Sequence, residues 1–331
     1  MQTSTIVSGQ GKGLVGIARL AAQSPQIRER AEVEYFALPS RSTLSRESSG
    51  RMPFVWTINP YRGCEFGCKY CYARYTHEFM EMWDGQDFER RIFAKVAAPE
   101  LLRAELRAAK DRGLPIALGT ATDPYQPAEK QFEITRRMLK VFAVLEGLDF
   151  SITTKSVLIL RDLDLLTKIS ERHRFSVHLT VTTLDDRLAR LLEPKAPPPQ
   201  KRLEAVEQLA SARIHVGVNV MPILPGLTDS KCSLEEVARS SAQAGAKFLY
   251  GNVLFLMPSA MKEFMPFLER EFPLLAKRYR RLYARSAYLR GEYPEQIAKL
   301  VGELRARYGL VGNRCEVPPA ARHPQMSLPF E

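Results

Sequence analysis

The chain has 331 residues, 45% hydrophobic and 26% charged, which excludes a disordered tail, a collagen-like fibre and a disulfide-stapled miniprotein. Its 48 lysines and arginines against 37 aspartates and glutamates leave a net charge of +11. That excess favours an anionic partner such as nucleic acid without identifying one, and a cationic surface kept for solubility has the same sum. There is no apolar run long enough to span a bilayer and no apolar signal segment in residues 1–20, so a cytoplasmic protein without a membrane partner is expected.

In chain order, residues 1–51 read as a basic, irregular segment, with Ser40, Ser42, Ser45, Ser48, Ser49 and Gly50 as a connector. The core is expected over 52–260, opening with a short strand at 53–59 that runs into a cysteine cluster. A helix at 99–112 precedes a strand at 115–122, a helix at 128–146 precedes 149–155, and a helix at 161–172 precedes 175–182. Helices at 200–212 and 233–244 precede strands at 214–221 and 247–255. Alternation of this kind predicts βα units and a parallel sheet, here about six units, too few for an eight-fold barrel. A strand covered on both faces is nearly all apolar. Here one face is polar: Thr120 and Thr122; Ser151, Thr153 and Lys155; His178, Thr180 and Thr182; His215, Gly217 and Asn219. That pattern fits a partial (β/α)6 TIM-like barrel lining a polar cavity; an open sheet with one poorly covered face is the other reading. A helical extension is expected over 261–312 and a Pro-rich tail over 313–331.

Three of the five cysteines, Cys64, Cys68 and Cys71, form a CxxxCxxC triplet in the loop after the first strand. Three thiolates hold three irons of a [4Fe–4S] cluster and leave the fourth open for chemistry. Structural zinc is the competing reading; it wants a fourth ligand, and His77 fits zinc spacings poorly.

Together, Asn59-Pro-Tyr-Arg-Gly-Cys64, the triplet with Tyr70 before its last cysteine, and Thr122-Asp123-Pro-Tyr-Gln-Pro127 resemble the radical S-adenosylmethionine (SAM) superfamily. Within it they resemble the spore-photoproduct-lyase-related, DNA-repair-photolyase-like branch. Ile152-Thr-Thr-Lys155, Glu193-Pro194, Lys201-Arg202-Leu-Glu and Met221-Pro-Ile-Leu-Pro-Gly-Leu-Thr-Asp229 continue the likeness. The resemblance implies a [4Fe–4S] cluster on Cys64, Cys68 and Cys71 whose open iron binds the amino and carboxylate groups of SAM. Reduction by a flavodoxin- or ferredoxin-type donor then cleaves SAM to methionine and a 5′-deoxyadenosyl radical. Tyr70 matches the aromatic position near the adenine, and Thr122 and Asp123 the methionyl-amine contacts. Lys155 matches a partner for the SAM carboxylate; Thr180, Thr182, Glu193 and Arg202 match ribose and carboxylate contacts. Leu224 opens the segment that touches adenine through its backbone. An inward-facing lysine in a barrel needs an anionic partner, whereas Glu193 and Arg202 also read as a structural ion pair. His178 and His215 read as hydrogen-bonded core residues.

The likeness breaks at one point. Spore photoproduct lyase uses a cysteine at the end of its second strand to return hydrogen to the product radical. Here that neighbourhood is Ala117-Leu-Gly119-Thr120, and a hydroxyl is a poor hydrogen-atom donor. Tyr72 matches a family tyrosine that relays hydrogen, and Cys232 is a second candidate donor, or else an ordinary buried thiol.

Two segments point toward DNA. Residues 277–290 carry six basic and no acidic residues, with Tyr279, Tyr283 and Tyr288 interleaved, as phosphate and base contacts require; a helix packing its tyrosines inward fits equally. Gln325-Met-Ser-Leu-Pro-Phe330 resembles the hexapeptide by which bacterial repair proteins dock on the sliding clamp, with Gln325, Leu328 and Phe330 as anchors. The expectation is a radical SAM enzyme acting on DNA in repair or base modification. Action on RNA, a peptide or a small molecule, and a non-enzymatic metal-binding clamp adaptor, are the alternatives.

Overall fold

The computed structural model describes residues 13–47, 52–111 and 113–312. Its strands, in chain order, are β1 (Gln26–Arg30), β2 (Val33–Ala37), β3 (Leu44–Arg46), β4 (Trp56–Ile58), β5 (Tyr61–Arg62), β6 (Arg91–Ala94), β7 (Ile116–Leu118), β8 (Asp149–Thr154), β9 (Arg174–Thr180), β10 (Val216–Ile223) and β11 (Leu249–Val253). The larger sheet runs β11-β10-β9-β8-β7-β4-β3. From β4 to β11 every pairing is parallel, and β3 joins antiparallel at the edge. Because spatial order follows chain order without reversal, the sheet winds in one sense, as a barrel wall does, and has no switch point. Six parallel strands separated by helices are the expected partial (β/α)6 barrel.

The helices between strands, Ala98–Asp111, Ile134–Phe142, Leu163–Arg172, Pro199–Ser211 and Lys231–Gln243, start and stop within a few residues of the sequence expectation, apart from 128–146, where the chain forms a short helix, Glu129–Phe132, and then Ile134–Phe142. Glu133, in the left-handed region at φ 47°, separates the two. Alternation within the strands fixes the core. Phe150 and Ile152 of β8, Phe175, Val177 and Leu179 of β9, and Val216, Val218 and Val220 of β10 are buried in one apolar cluster with the helices. The opposite face aligns across the sheet in register, Ser151 with Ser176, Thr153 with His178 and Thr180 with Asn219. Those side chains line the barrel interior. His178 hydrogen-bonds Asn219 at 3.3 Å and Ser176 at 3.1 Å, the satisfied role expected of it. Gly217 faces the ring of Phe248, whose nearest atom lies 2.3 Å from where a Cβ would stand, so the glycine makes room for an aromatic plug.

Two expectations need correcting. Residues 16–46, read as irregular, carry a helix, Gly16–Ala22, and β1 to β3. β1 and β2 build a second sheet, β1-β2-β6-β5, whose hairpin β5–β6 closes the base of the cysteine loop. Their alternation is short and one-sided: β1 is mostly exposed and only β2 buries Val33, Tyr35 and Phe36. Second, residues 277–290 are not one helix. Helices Pro258–Glu271 and Pro273–Leu282 are followed by nonhelical chain over 283–291 before helix Glu292–Arg307. No helix among the described residues is long and apolar enough to cross a membrane.

Candidate active site

The cysteine loop leaves β5 at Gly63, which stands at φ 84° with the carbonyl oxygens of Phe88 and Arg91 2.8 and 2.9 Å from the position of a Cβ. Both conformation and space require glycine there. The loop is pinned from outside. Gln126 donates to the Gly63 carbonyl and to Thr122 Oγ1, both at 3.0 Å, and its Oε1 accepts from the Glu65 amide at 3.0 Å. Thr122 Oγ1 donates to the Gly63 carbonyl at 2.6 Å. Buried Arg74 donates to the Cys68 carbonyl at 3.1 Å, and the Lys69 amide donates to the Leu192 carbonyl at 2.9 Å.

Cys64 and Cys68 are buried and Cys71 is half-buried; all three thiols are free and lie in or against one apolar cluster with Tyr70, Phe66 and Leu224. Burial, then Asp123 and the other two cysteines, hold the Cys64 thiol well above its ordinary range, and burial pushes Cys68 up to about 12. Crowded thiols of this kind repel one another once ionised, and a cationic cluster relieves that repulsion. Among the described residues no three His, Cys, Asp or Glu side chains converge on a single ion, whereas ligands to three separate irons need no such convergence. His77, the zinc alternative, is buried between Phe88 and Phe93 with Nε2 3.0 Å from the Arg91 carbonyl, and burial lowers its pKa to about 4. The residues fit an iron–sulfur cluster.

The surrounding side chains converge from the C-terminal ends of successive strands. Lys155, one residue past β8, holds Nζ 5.7 Å over the Tyr70 ring. Burial works against its charge, but the neighbouring Cys68 and Glu193 more than offset it, leaving its pKa raised. Tyr70 donates to Glu193 and lies 3.2 Å from Thr182 Oγ1. Thr182 donates to Glu193 at 2.9 Å, and Arg202 meets the other carboxylate oxygen at 2.5 Å while donating to the carbonyls of Thr180 and Pro197. Glu193 and Arg202 are both nearly inaccessible, so this is a buried ion pair whose remaining polar atoms are occupied.

Some expected contacts are directed elsewhere. Asp123 ties its loop to the end of β8, accepting from Tyr125 N, Thr154 Oγ1 and Lys155 N at 2.6–2.9 Å. The amide of Leu224 donates to Thr228 Oγ1, and its carbonyl accepts from the amides of Leu227 and Thr228, closing a tight turn, so its buried side chain rather than its backbone faces the cluster. Cys232 is exposed in the first turn of helix Lys231–Gln243, so it is not the ordinary buried thiol that was its other reading.

Tyr72 stands at the rim, 36% exposed, with its hydroxyl on the Thr120 carbonyl. It begins an aromatic row: Tyr72 to Phe255 at 5.4 Å, Phe255 stacked on Tyr288 at 4.7 Å. Tyr279 and Tyr283, expected among the base-stacking tyrosines, are instead buried, stacked on each other at 5.8 Å, with Tyr283 donating to the Leu254 carbonyl. Lys277, Arg278, Arg280, Arg281, Arg285 and Arg290 remain exposed. Gln126, Arg74 and Phe255 carry no role that the sequence alone indicates: Gln126 lies inside the Thr122–Pro127 motif, Arg74 three residues past the last cysteine, and Phe255 at a strand end.

The sequence profile described as "Radical SAM superfamily" matches residues 58–239, more than half of the chain. This chain belongs to the radical SAM superfamily. It therefore uses a [4Fe–4S] cluster and SAM. An uncharacterized protein of Mycobacterium bovis is 35% identical over 92% of this chain and 88% of its own length. One of Methanocaldococcus jannaschii is 32% identical over 66% and 76%. Among solved structures, a spore photoproduct lyase double mutant with bound AdoMet and dinucleoside spore photoproduct superposes with a TM-score of 0.59 at 14% identity, covering 82% of this chain and 78% of its own. At that identity the likeness establishes the fold alone. The Gln325–Phe330 segment lies outside the described residues.

Proposed function

We propose that this radical SAM enzyme acts on DNA, in repair or base modification, at the barrel mouth beside the cysteine loop. When bound and reduced by one electron, cluster and SAM supply a 5′-deoxyadenosyl radical that abstracts hydrogen. The chain's own residues hold and shield that chemistry. Cys64, Cys68 and Cys71 each bind one iron. Lys155, a half-buried cation with no ion-pair partner among the described residues, would receive the SAM carboxylate, since an ammonium taken out of water is stabilised by a counter-charge. Tyr70 and Leu224 offer apolar walls to the adenine, and Thr180, Thr182, Glu193 and Arg202 fix Tyr70 in place. Thr122 and Asp123 act through the loops they tie down, and would steady the cysteine loop and the end of β8 around the methionyl end of a bound SAM. Tyr72 is the first hydrogen-relay candidate at the rim, and the exposed thiol of Cys232 is the second.

One observation carries the substrate reading: the row Tyr72, Phe255, Tyr288 lines the mouth, beside exposed Arg285 and Arg290. Flat rings at the rim suit splayed bases, and arginines around them suit phosphates. The spore photoproduct lyase likeness supports the same class of substrate. The test is anaerobic reconstitution, reduction with dithionite and addition of SAM. The expected outcome is 5′-deoxyadenosine together with a changed cluster EPR signal, both lost in Cys68→Ala. Iron binding with no response to SAM would sink the reading.

A further inference from the structure

Residues 72–79 invert the usual amphipathic pattern. Tyr72, Tyr75 and Phe79 recur at helical spacing over the turn Tyr72–Arg74 and the helix Tyr75–Glu78. A surface helix turns such a stripe to the core and leaves its polar groups outside. Here Arg74, Thr76 and His77 are buried, while Tyr72 is 36% and Phe79 60% exposed and Tyr75 is half-buried. Single exposed apolar residues are ordinary, but these three form one contiguous patch. Tyr75 stacks on Tyr72 at 6.4 Å and meets Phe79 edge-on at 5.6 Å. The row that leads from Tyr72 through Phe255 to Tyr288 therefore continues in the other direction, and Tyr72 stands in its middle.

Two cations lie beside this second arm. Pairing of Tyr61 with Ala94 and of Arg62 with Phe93 in the β5–β6 hairpin puts Arg62 and Lys95 on one face, since residues two apart on a strand share a side. The Lys95 amide donates to the Pro60 carbonyl at 3.1 Å, which carries the pairing one residue further. That face is turned toward the aromatic helix: Arg62 donates to the Thr76 carbonyl at 3.4 Å, and the Phe93 ring meets His77 at 5.9 Å. Neither Arg62 nor Lys95 forms an ion pair among the described residues. Burial, then the charge of Arg62, lower the Lys95 pKa to about 8, as two like charges held close require. The carboxylate of Glu105, which works the other way, is taken by the amides of Thr43 and Leu44 at 2.9–3.1 Å. Glu78, next to Phe79, is drawn to Lys262 at 3.5 Å.

We propose that this second arm holds the flank of a single-stranded DNA, with a backbone phosphate at Arg62 and Lys95 and a base on Tyr75 and Phe79. The inference rests on the DNA reading of the mouth. It adds that the nucleotide acted on at Tyr72 is internal to its strand, held through a neighbour on each side. Two close cations without a counter-charge suit a phosphate, and exposed rings suit unstacked bases of any sequence. The rings alone would fit an apolar protein partner equally; together with the cations they fit a polyanion that presents flat apolar faces.

The test is fluorescence anisotropy of the reconstituted protein with a labelled single-stranded DNA of about twelve nucleotides. Phe79→Ala is expected to weaken binding by about fivefold or more, because a stacked base loses its ring. Trp83→Ala removes an equally exposed ring that lies outside the row, under Lys262, and is expected to change binding by less than about twofold. Lys95→Gln should flatten the dependence of log K on log salt by about one unit, and Lys95→Arg, which keeps the charge, should restore it. Wild-type affinity in Phe79→Ala, equal loss in Trp83→Ala, or an unchanged slope in Lys95→Gln overturns the second arm. So does a dimer in sedimentation velocity that Phe79→Ala dissolves while DNA binding holds, which would make the patch a contact between two copies of the chain. If Tyr288→Ala weakens binding and Phe79→Ala does not, the mouth keeps its DNA and only the second arm falls. If neither weakens it, or the wild type binds no strand, the proposed substrate fails and the arm with it.

Discussion

Glu193 and Arg202 show how one buried pair organises the site. Both are almost fully enclosed, and each remaining polar atom is spoken for: Tyr70 and Thr182 donate to the carboxylate, and the guanidinium reaches two backbone carbonyls. Burial raises the carboxyl pKa, but Arg202 and Lys155 overcome that effect and hold it below its ordinary range. Removing one partner of such a pair leaves an uncompensated buried charge. Arg202→Met is therefore expected to cost about 3–5 kcal/mol in urea unfolding of the cluster-free protein, and Arg202→Met/Glu193→Met to recover at least about 1 kcal/mol of it. A single variant costing less than about 1 kcal/mol would mean that the pair does not organise this wall. At this scale the sequence was informative about identity and less so about direction. The cysteines, Tyr70, Lys155, Thr182, Glu193 and Arg202 do come together, because each lies in a connection that follows a parallel strand or, for Arg202, in the first turns of the helix that ends one, all on the same side of the sheet. Asp123 is turned to the end of β8 and the Leu224 backbone to its own turn, and no residue spacing encodes that choice.

Among elements, the cysteine loop depends on a hairpin that the sequence hid. β5 and β6 are only a few residues long and are separated by the whole of 63–90, so neither produces a periodic signal, and β1 and β2 alternate too briefly to stand out from a polar segment. The barrel strands from β7 onward were legible because each combines an apolar face with a preceding amphipathic helix. The interleaved tyrosines of 277–290 misled for the opposite reason. Burial of Tyr279 and Tyr283 at helical spacing satisfies the same pattern as exposure. The hairpin makes a sharp prediction at Gly63, where a methyl group would meet two carbonyl oxygens in a left-handed backbone. Gly63→Ala should retain wild-type far-UV circular dichroism, because the barrel does not depend on it. Iron and sulfide per chain after reconstitution should fall by at least about half, since the ligands must keep their geometry. Full iron content in that variant would show that the loop tolerates the shift.

For the whole molecule, the net charge of +11 becomes useful only once its placement is known. Exposed arginines at 285 and 290 flank the aromatic row at the mouth, and the chain at 283–291 that carries them is strapped down by the bond from the Leu256 amide to the Ala287 carbonyl at 2.9 Å. Phosphate contacts give a salt-dependent, sequence-independent affinity, whereas stacking adds a contribution that salt hardly touches. The two are separable. Arg285→Glu/Arg290→Glu should weaken binding of a short single-stranded DNA at low salt and flatten the dependence of log K on log salt by about one to two units. Tyr288→Ala should leave that slope unchanged and cost about 1–3 kcal/mol of affinity at every salt concentration. Fluorescence anisotropy with a labelled oligonucleotide reads both quantities from one titration series. If the charge-reversed double keeps the wild-type slope, phosphates do not run along this rim and the DNA reading loses its structural basis. An RNA of the same sequence binding at least about tenfold more tightly would move the substrate to RNA, because the rings and arginines at the mouth recognise single strands of either kind and only contacts to the 2′-hydroxyl separate them.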